Sequence, residues 1–155
     1  MAQQLAEHYS GTLVPEYARF YMQQLLEKRT YNYNDVCNVA KKQIEQLWTD
    51  YPTKYVFFDT ELIITKVWFL DKYGKLPEFF EKALENNPID FYLLLKPDLP
   101  FVPDPVRENP NRREELFLWY KKELEEYGFP YKIIDEIGDF RLKKAIEAID
   151  NFIKM

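Results

Sequence analysis

Apolar residues along the chain follow two alternating patterns, and the alternation predicts the fold. Ala2 to Tyr9 place Leu5, Ala6 and Tyr9 at helical spacing and read as the last two turns of an amphipathic helix stopped by Gly11. "TLV" reads as a strand near residues 12–14. Glu16 to Lys28 is helical, with apolar residues at 17, 18, 21, 22, 25 and 26. "TYNYND" is a turn in which Asn34 can cap the next helix, whose stripe is Val36, Val39, Ala40, Ile44, Leu47 and Trp48. "YPT" breaks that helix, and "KYVFFDT" is a short apolar run bounded by charge, the pattern of a strand buried on both faces.

Glu61 to Tyr73 is helical again, with Gly74 as its stop, and Pro77 opens "PEFFEKALEN" at its first helical position. "DFYLLLKP" is a third strand. The stretch "KPDLPFVPDPVRENPNRREE" holds five of the ten prolines and cannot continue helix or sheet. The helix "RREELFLWYKKELEEY" ends at Gly128, "YKIID" is a fourth strand, and Asp139 can cap a last helix striped by Leu142, Ala145, Ile146, Ile149 and Ile153. Strands near 12–14, 55–58, 91–95 and 131–134, separated by helices, predict an α/β domain with a mostly parallel sheet covered on both faces. Ligands of such sheets bind at the C-terminal ends of the strands.

Length changes this picture little: 155 residues fit one domain spanning 1–155. The aromatic share of 17% promises a core rich in Phe and Tyr. A net charge of −5 argues against non-specific binding to nucleic acid or anionic membranes. One cysteine permits no internal disulfide, and no apolar run reaches the length of a membrane span, so a cytoplasmic protein is expected. None of the four glycines, at 11, 74, 128 and 138, belongs to a GxxxxGK[ST] or GxGxxG pattern. The only histidine, His8, is read as a surface residue, Cys37 as a small buried one, and Trp48, Trp68 and Trp119 as core residues.

Three constellations fall just past the strands. Asp59 in "YVFFDTE" can hold Mg²⁺, directly or through water, over a nucleotide beside the strand; it or Thr60 can equally cap the next helix. Glu16 and Arg19 in "VPEYAR" lie one turn apart, where the acid can accept a proton from a substrate hydroxyl and the arginine can grip an anion; a plain surface pair is the alternative. Arg107, Arg112 and Arg113 sit in or beside the proline-rich loop and can close over phosphates, or simply pair with Asp104, Glu108 and Glu114.

"HYSGTLVPEYARFY", "YNYNDVCNVAKKQ", "FFDTELIITKVW" and "FYLLLKPDLPFVPDPVREN" with "RREELF", in this order, resemble the NadR-type nicotinamide riboside kinase domain, a P-loop kinase with an AAA-like, adenylate-kinase-like architecture. The resemblance covers nearly the whole chain. It implies a three-layer P-loop kinase-like sheet and transfer of the ATP γ-phosphate, with Mg²⁺, to the 5′-hydroxyl of nicotinamide riboside in NAD biosynthesis. It implies that Asp59 stands at the Walker B-like position and that Glu16, Tyr17 and Arg19 lie beside the nucleoside. It further implies that Arg107, Arg112 and Arg113 belong to a lid, residues 96–113, whose segment 98–113 is expected to be the most mobile internal one.

Family members begin with a strand and a Walker A loop, whereas Met1 falls inside the helix that follows that loop. The resemblance therefore implies an incomplete sheet lacking its first, central strand. Either the strands "YVFF" and "FYLLL" are parted by a gap or they pair directly, and self-association through their open edges is expected. Without a phosphate loop this polypeptide is expected to be inactive by itself; the alternative is a non-catalytic interaction domain on a decayed kinase fold.

Overall fold

A computed structural model describes residues 1–97 and 110–155. The described elements, in chain order, are α1 (Ala2–His8), β1 (Thr12–Val14), α2 (Tyr17–Leu26), α3 (Tyr33–Leu47), β2 (Val56–Phe58), α4 (Leu62–Tyr73), α5 (Glu78–Glu85), β3 (Tyr92–Leu95), α6 (Arg113–Tyr127), β4 (Tyr131–Ile134) and α7 (Gly138–Ile153). A single 3-10 turn, Pro110–Arg112, precedes α6.

The four strands form two separate parallel pairs. β1 pairs with β2 in the register Thr12↔Val56, Leu13↔Phe57, Val14↔Phe58. β3 pairs with β4 from Tyr92↔Tyr131 to Leu95↔Ile134. Among the described residues β2 and β3 are not paired with each other, so of the two expected outcomes the structure takes the gap. The fold is thus mixed α/β and P-loop kinase-like, with short parallel strands in two two-stranded sheets among the described residues.

Successive side chains of a strand point to opposite faces, and here the two faces feed two cores. Phe58, Tyr92 and Leu94 pack on a cluster built around Val36, Leu62, Phe69, Phe80, Leu84 and Leu124, which belongs to the α3–α6 layer. Phe57, Phe91 and Leu93 pack on Leu5, Ile134, Ala145 and Ile149, which belongs to α1, β4 and α7. Helices therefore cover both sides of the strands, and the aromatic-rich composition fills both layers: Phe69 stands edge-on to Phe80 at 5.4 Å and Phe91 stacks on Phe152 at 4.5 Å.

The turns explain why these elements stop where they do. Gly74 and Gly128 end α4 and α6 at φ of 67° and 70°, in the left-handed region that a side chain disfavours. Gly11 is required for another reason: a Cβ there would lie 2.7 Å from Tyr55 O, against the start of β2.

Four local expectations are corrected. α3 is capped by Asn32 rather than Asn34, because the Asn32 side chain accepts from Asp35 N while Asp35 accepts from Asn32 N, a reciprocal capping box. α4 is capped by Glu61, not by Asp59 or Thr60. Ile137 rather than Asp139 stands at the cap of α7, and Pro77 is the cap of α5 rather than its first residue. Trp48, expected in the core, is 61% exposed, because it lies beyond the last turn of α3 as its C-cap. Cys37 is half-buried against the larger core, Trp68 and Trp119 are half-buried, and His8 is exposed as expected. Among the described residues no helix is long and apolar enough to cross a membrane.

Candidate functional site

The register of β1 on β2 brings two of the sequence-predicted residues to one end of one ladder. Val14 lies opposite Phe58. Glu16 follows two residues after Val14 and Asp59 one residue after Phe58, so both stand at the C-terminal edge of the same pair. The backbone N–H of Asp59 donates to Val14 O at 3.0 Å and locks this arrangement. Both residues line a continuous cleft of about 1690 Å³ that runs along the strands.

Glu16 is the N-cap residue of α2 by backbone conformation, but its side chain makes no capping bond. It lies instead 3.7 Å from Arg19 Nε, the one-turn pairing that the spacing predicts. Both side chains are partly exposed and open on the cleft. Tyr17 sits at the start of α2 with its ring 6.1 Å from those of Phe20 and Tyr21.

Asp59 is exposed, and among the described residues its carboxylate takes no hydrogen bond or ion pair. Glu61 has taken over the capping of α4, accepting from Ile63 N at 2.8 Å. Between the two, Thr60 adopts φ of 69°, a conformation costly for a β-branched residue. Such strain persists only where the surroundings over-determine it. Here the sharp turn lets Glu61 fold inward while Asp59 stays at the mouth of the cleft.

Glu61 is buried and joins the turn after β2 to the beginning of β3. Its Oε2 accepts from Tyr92 OH at 3.1 Å and from Asn87 Nδ2 at 3.2 Å. Burial pushes its carboxyl above the ordinary range, while the N–H of Ile63 and the Tyr92 hydroxyl pull the other way. Burial, with the Glu61 carboxylate close by, likewise pushes the Tyr92 phenol up.

The predicted arginines part company. Arg113 Nη2 donates to Pro97 O at 2.9 Å, at the end of β3, and Arg113 lines the cleft. Arg112 turns to α4: its Nη1 and Nη2 donate to the two Asp71 carboxylate oxygens at 2.9 and 2.8 Å, and Nε donates to Glu115 Oε2 at 2.8 Å. The Glu115 and Asp71 carboxylates hold this guanidinium above its ordinary range, and Arg112 in turn holds Asp71 below the usual one. Arg107 and the expected mobility of 98–113 fall largely on residues 98–109, outside the described residues.

A further cation escapes the sequence reading. Arg141, 7% exposed, donates from Nη2 to Lys96 O beside the end of β3. Its Nε is buried without a hydrogen-bond partner. The signal was in the spacing: Arg141 continues the buried stripe of Ala145 and Ile149 one turn further toward the N-terminus of α7. Glu61 and Tyr92 left no comparable trace, because their contact spans 31 residues.

Mg²⁺ commonly uses one or two carboxylates and completes its shell with water and substrate phosphates. Asp59, unpaired at the cleft mouth, fits such a role. Among the described residues no group of three His, Cys, Asp or Glu side chains could hold a metal by itself. For a nucleotide's phosphates the chain offers Arg19, Lys96 and Arg113 near the strand ends but no GxxxxGK[ST] cradle. The side chains present therefore fit a metal–anion pair only in part.

A family model described as an AAA domain matches residues 1–141. The match spans β1 to β4 and both halves of the cleft, and it accounts for the parallel strands alternating with helices. The chain belongs to this AAA domain family, with the P-loop NTPase-like architecture that goes with it.

Proposed function

We propose that the site at the C-terminal edge of β1 and β2 serves ATP-dependent phosphoryl transfer to a nucleoside, with nicotinamide riboside as the acceptor. The reading places the protein in the cytoplasm, in NAD biosynthesis. The observation that carries it is that Glu16 and Asp59 both follow the last pair of one ladder, Val14 and Phe58, with the Asp59 carboxylate released from the capping duty that Glu61 performs. Glu16 is positioned to accept the proton of an acceptor hydroxyl, with Arg19 beside it to hold an anionic or polar group. Asp59 would hold Mg²⁺, which neutralises charge on the transferring phosphoryl group.

Phosphoryl transfer rests on positioning and charge neutralisation rather than on covalent work by the protein. The 155 residues by themselves hold no glycine-rich cradle, so turnover by this polypeptide alone is expected to be negligible. The non-catalytic reading draws its support from the open edges of β2 and β3.

The test is ATP-dependent formation of nicotinamide mononucleotide. It compares the 155-residue polypeptide with a form preceded by a strand and GxxxxGK[ST] loop from a related kinase. The proposal expects turnover only from the second. Robust turnover by the first, or none by the second with any nucleoside tried, defeats it.

A further inference from the structure

Away from the cleft, α3 and α5 hold an open groove of about 540 Å³ between them, and none of its lining residues lines the cleft. Its floor is apolar. Ile44 of α3 and Phe79 and Ala83 of α5 pack against the larger core and also line the groove. Trp48, at the C-terminal end of α3, lines it too and is largely exposed. Lys41 and Lys82 stand on the two walls, and among the described residues no Asp or Glu lines the groove.

The exposure of Trp48 is built into the end of α3. Its backbone N–H donates to Ile44 O and Glu45 O at 3.3 Å. The Thr49 hydroxyl donates to Glu45 O at 2.8 Å and the Tyr51 hydroxyl to Gln46 O at 2.6 Å. Residues that follow the helix thus satisfy carbonyls of its last turn, and the indole is carried on a fixed backbone. Its own N–H meets no acceptor among the described residues. A rigid, exposed Trp beside apolar neighbours is the residue type that anchors protein interfaces.

Charge selects the partner. The chain has 26 acidic residues against 21 Lys and Arg, so carboxylates are in excess. Yet Lys41 lies over the Phe79 ring at 5.4 Å and Lys75 over the Tyr33 ring at 4.5 Å, and among the described residues neither meets a carboxylate. An ammonium over a ring keeps N–H donors for an acid. Lys82 reaches Glu78 at 3.8 Å, but both are largely exposed, and such a pair is cheap to exchange. The groove-facing positions of α3 are 41, 44 and 48. They span about 10 Å at about 1.5 Å per residue, the length of two turns of a helix lying alongside.

We infer that the groove between α3 and α5 docks an acidic amphipathic helix of a partner protein. Its apolar stripe lies on Ile44, Trp48, Phe79 and Ala83, and its carboxylates meet Lys41 and Lys82. This does not depend on the phosphoryl-transfer reading, because the two sites share no lining residue. At a net charge of −5 the chain as a whole repels an acidic segment, so the attraction comes from this local basic rim.

The test is fluorescence anisotropy of the 155-residue chain with the labelled peptide acetyl-Glu-Glu-Leu-Ala-Glu-Leu-Leu-Glu-Glu-Leu-Ala-Glu-amide. Two further peptides accompany it: one with every Glu replaced by Lys, and an acidic one rearranged so that its leucines lose helical spacing. The chain is expected to bind the first at least about tenfold more tightly than either of the others. Trp48→Ala should weaken that binding by about tenfold or more. Lys41→Glu combined with Lys82→Glu should do the same and transfer the preference to the lysine peptide, a gain that an unfolded variant could not show. No binding of the first peptide, equal binding of all three, or affinities unmoved by these substitutions overturns the inference. So does a chain that sediments as a dimer and becomes monomeric with Trp48→Ala, because the groove would then hold a second copy.

Discussion

Replacing Tyr92 by Phe probes the contact that joins the turn after β2 to the start of β3. The ring is kept, and with it the stack on Phe129 at 5.6 Å and the packing against the larger core. What is lost is one hydroxyl that donates to Glu61 Oε2 and accepts from Asn87 Nδ2. A hydrogen bond to a charged group contributes about 1.5–3 kcal/mol net, and a neutral one about 1 kcal/mol. Glu61 Oε2 keeps Asn87 as a donor, so the full sum is not forfeited. We expect a loss of about 2 kcal/mol, which for a chain of this size is a fall in Tm of about 4–8 °C.

The penalty also carries a sign in pH. Burial raises the Glu61 carboxyl above its ordinary 4.5, and the Tyr92 hydroxyl opposes that rise. The folded-state value is therefore the higher one, and the stability tied to the neutral acid is lost as pH rises through it. Removing the hydroxyl raises it further, so the variant should fall further behind the native chain as pH climbs from the acid side to neutrality. Urea unfolding at several pH values measures this with unchanged m-values. A loss under about 0.5 kcal/mol at neutral pH, or a pH-independent one, refutes the reasoning.

Asp35 tests the opposite sign. The Arg29 guanidinium, followed by Asn32 N–H and Tyr21 OH, holds its carboxyl down to about 2 from 3.8. Its contribution is present above the unfolded value and is lost as pH falls toward 2. Because Arg29 is half-exposed the amount is discounted to about 1 kcal/mol, and Asp35→Asn should flatten acid unfolding in that window. In the ion pair that joins α4 to α6, Lys66 and Glu123 are 14% and 7% exposed. Glu123→Leu alone should cost about 3 kcal/mol in urea unfolding, and Lys66→Met added to it should recover most of that. In the form carrying a phosphate loop, Arg112→Ala should lower kcat more than it raises the nucleoside KM. Asp71→Asn, which removes one of the two carboxylates that hold Arg112 and leaves Glu115, should not; equal losses in steady-state kinetics would make Arg112 a structural clamp alone.

The elements were legible because they rest on local chemistry. The left-handed stops at Gly74 and Gly128, the apolar runs of β2 and β3 and the stripe of α7 all announce themselves within a few residues. So did the Glu16–Arg19 pair, which needs only one helical turn. The caps were misread where two candidates lay side by side: Asn32 prevailed over Asn34 because only Asn32 has Asp35 three residues on, and Glu61 over Asp59 because Thr60 turns the chain sharply between them. Contacts made across the fold were not legible. The Arg112–Asp71 clamp spans 41 residues and the Arg141–Lys96 link 45, and no periodicity encodes either.

The central claim is that the C-terminal edge of β1 and β2 is a phosphoryl-transfer site organised by Asp59. The most direct measurement is the Mg²⁺ dependence of nicotinamide mononucleotide formation by the loop-bearing form, with Asp59 intact and as Asp59→Asn. The account predicts a fall in turnover of about a hundredfold or more, with half-saturation shifted to higher Mg²⁺, because the carboxylate that would hold the ion is gone. Turnover and Mg²⁺ dependence unchanged by the substitution would contradict it.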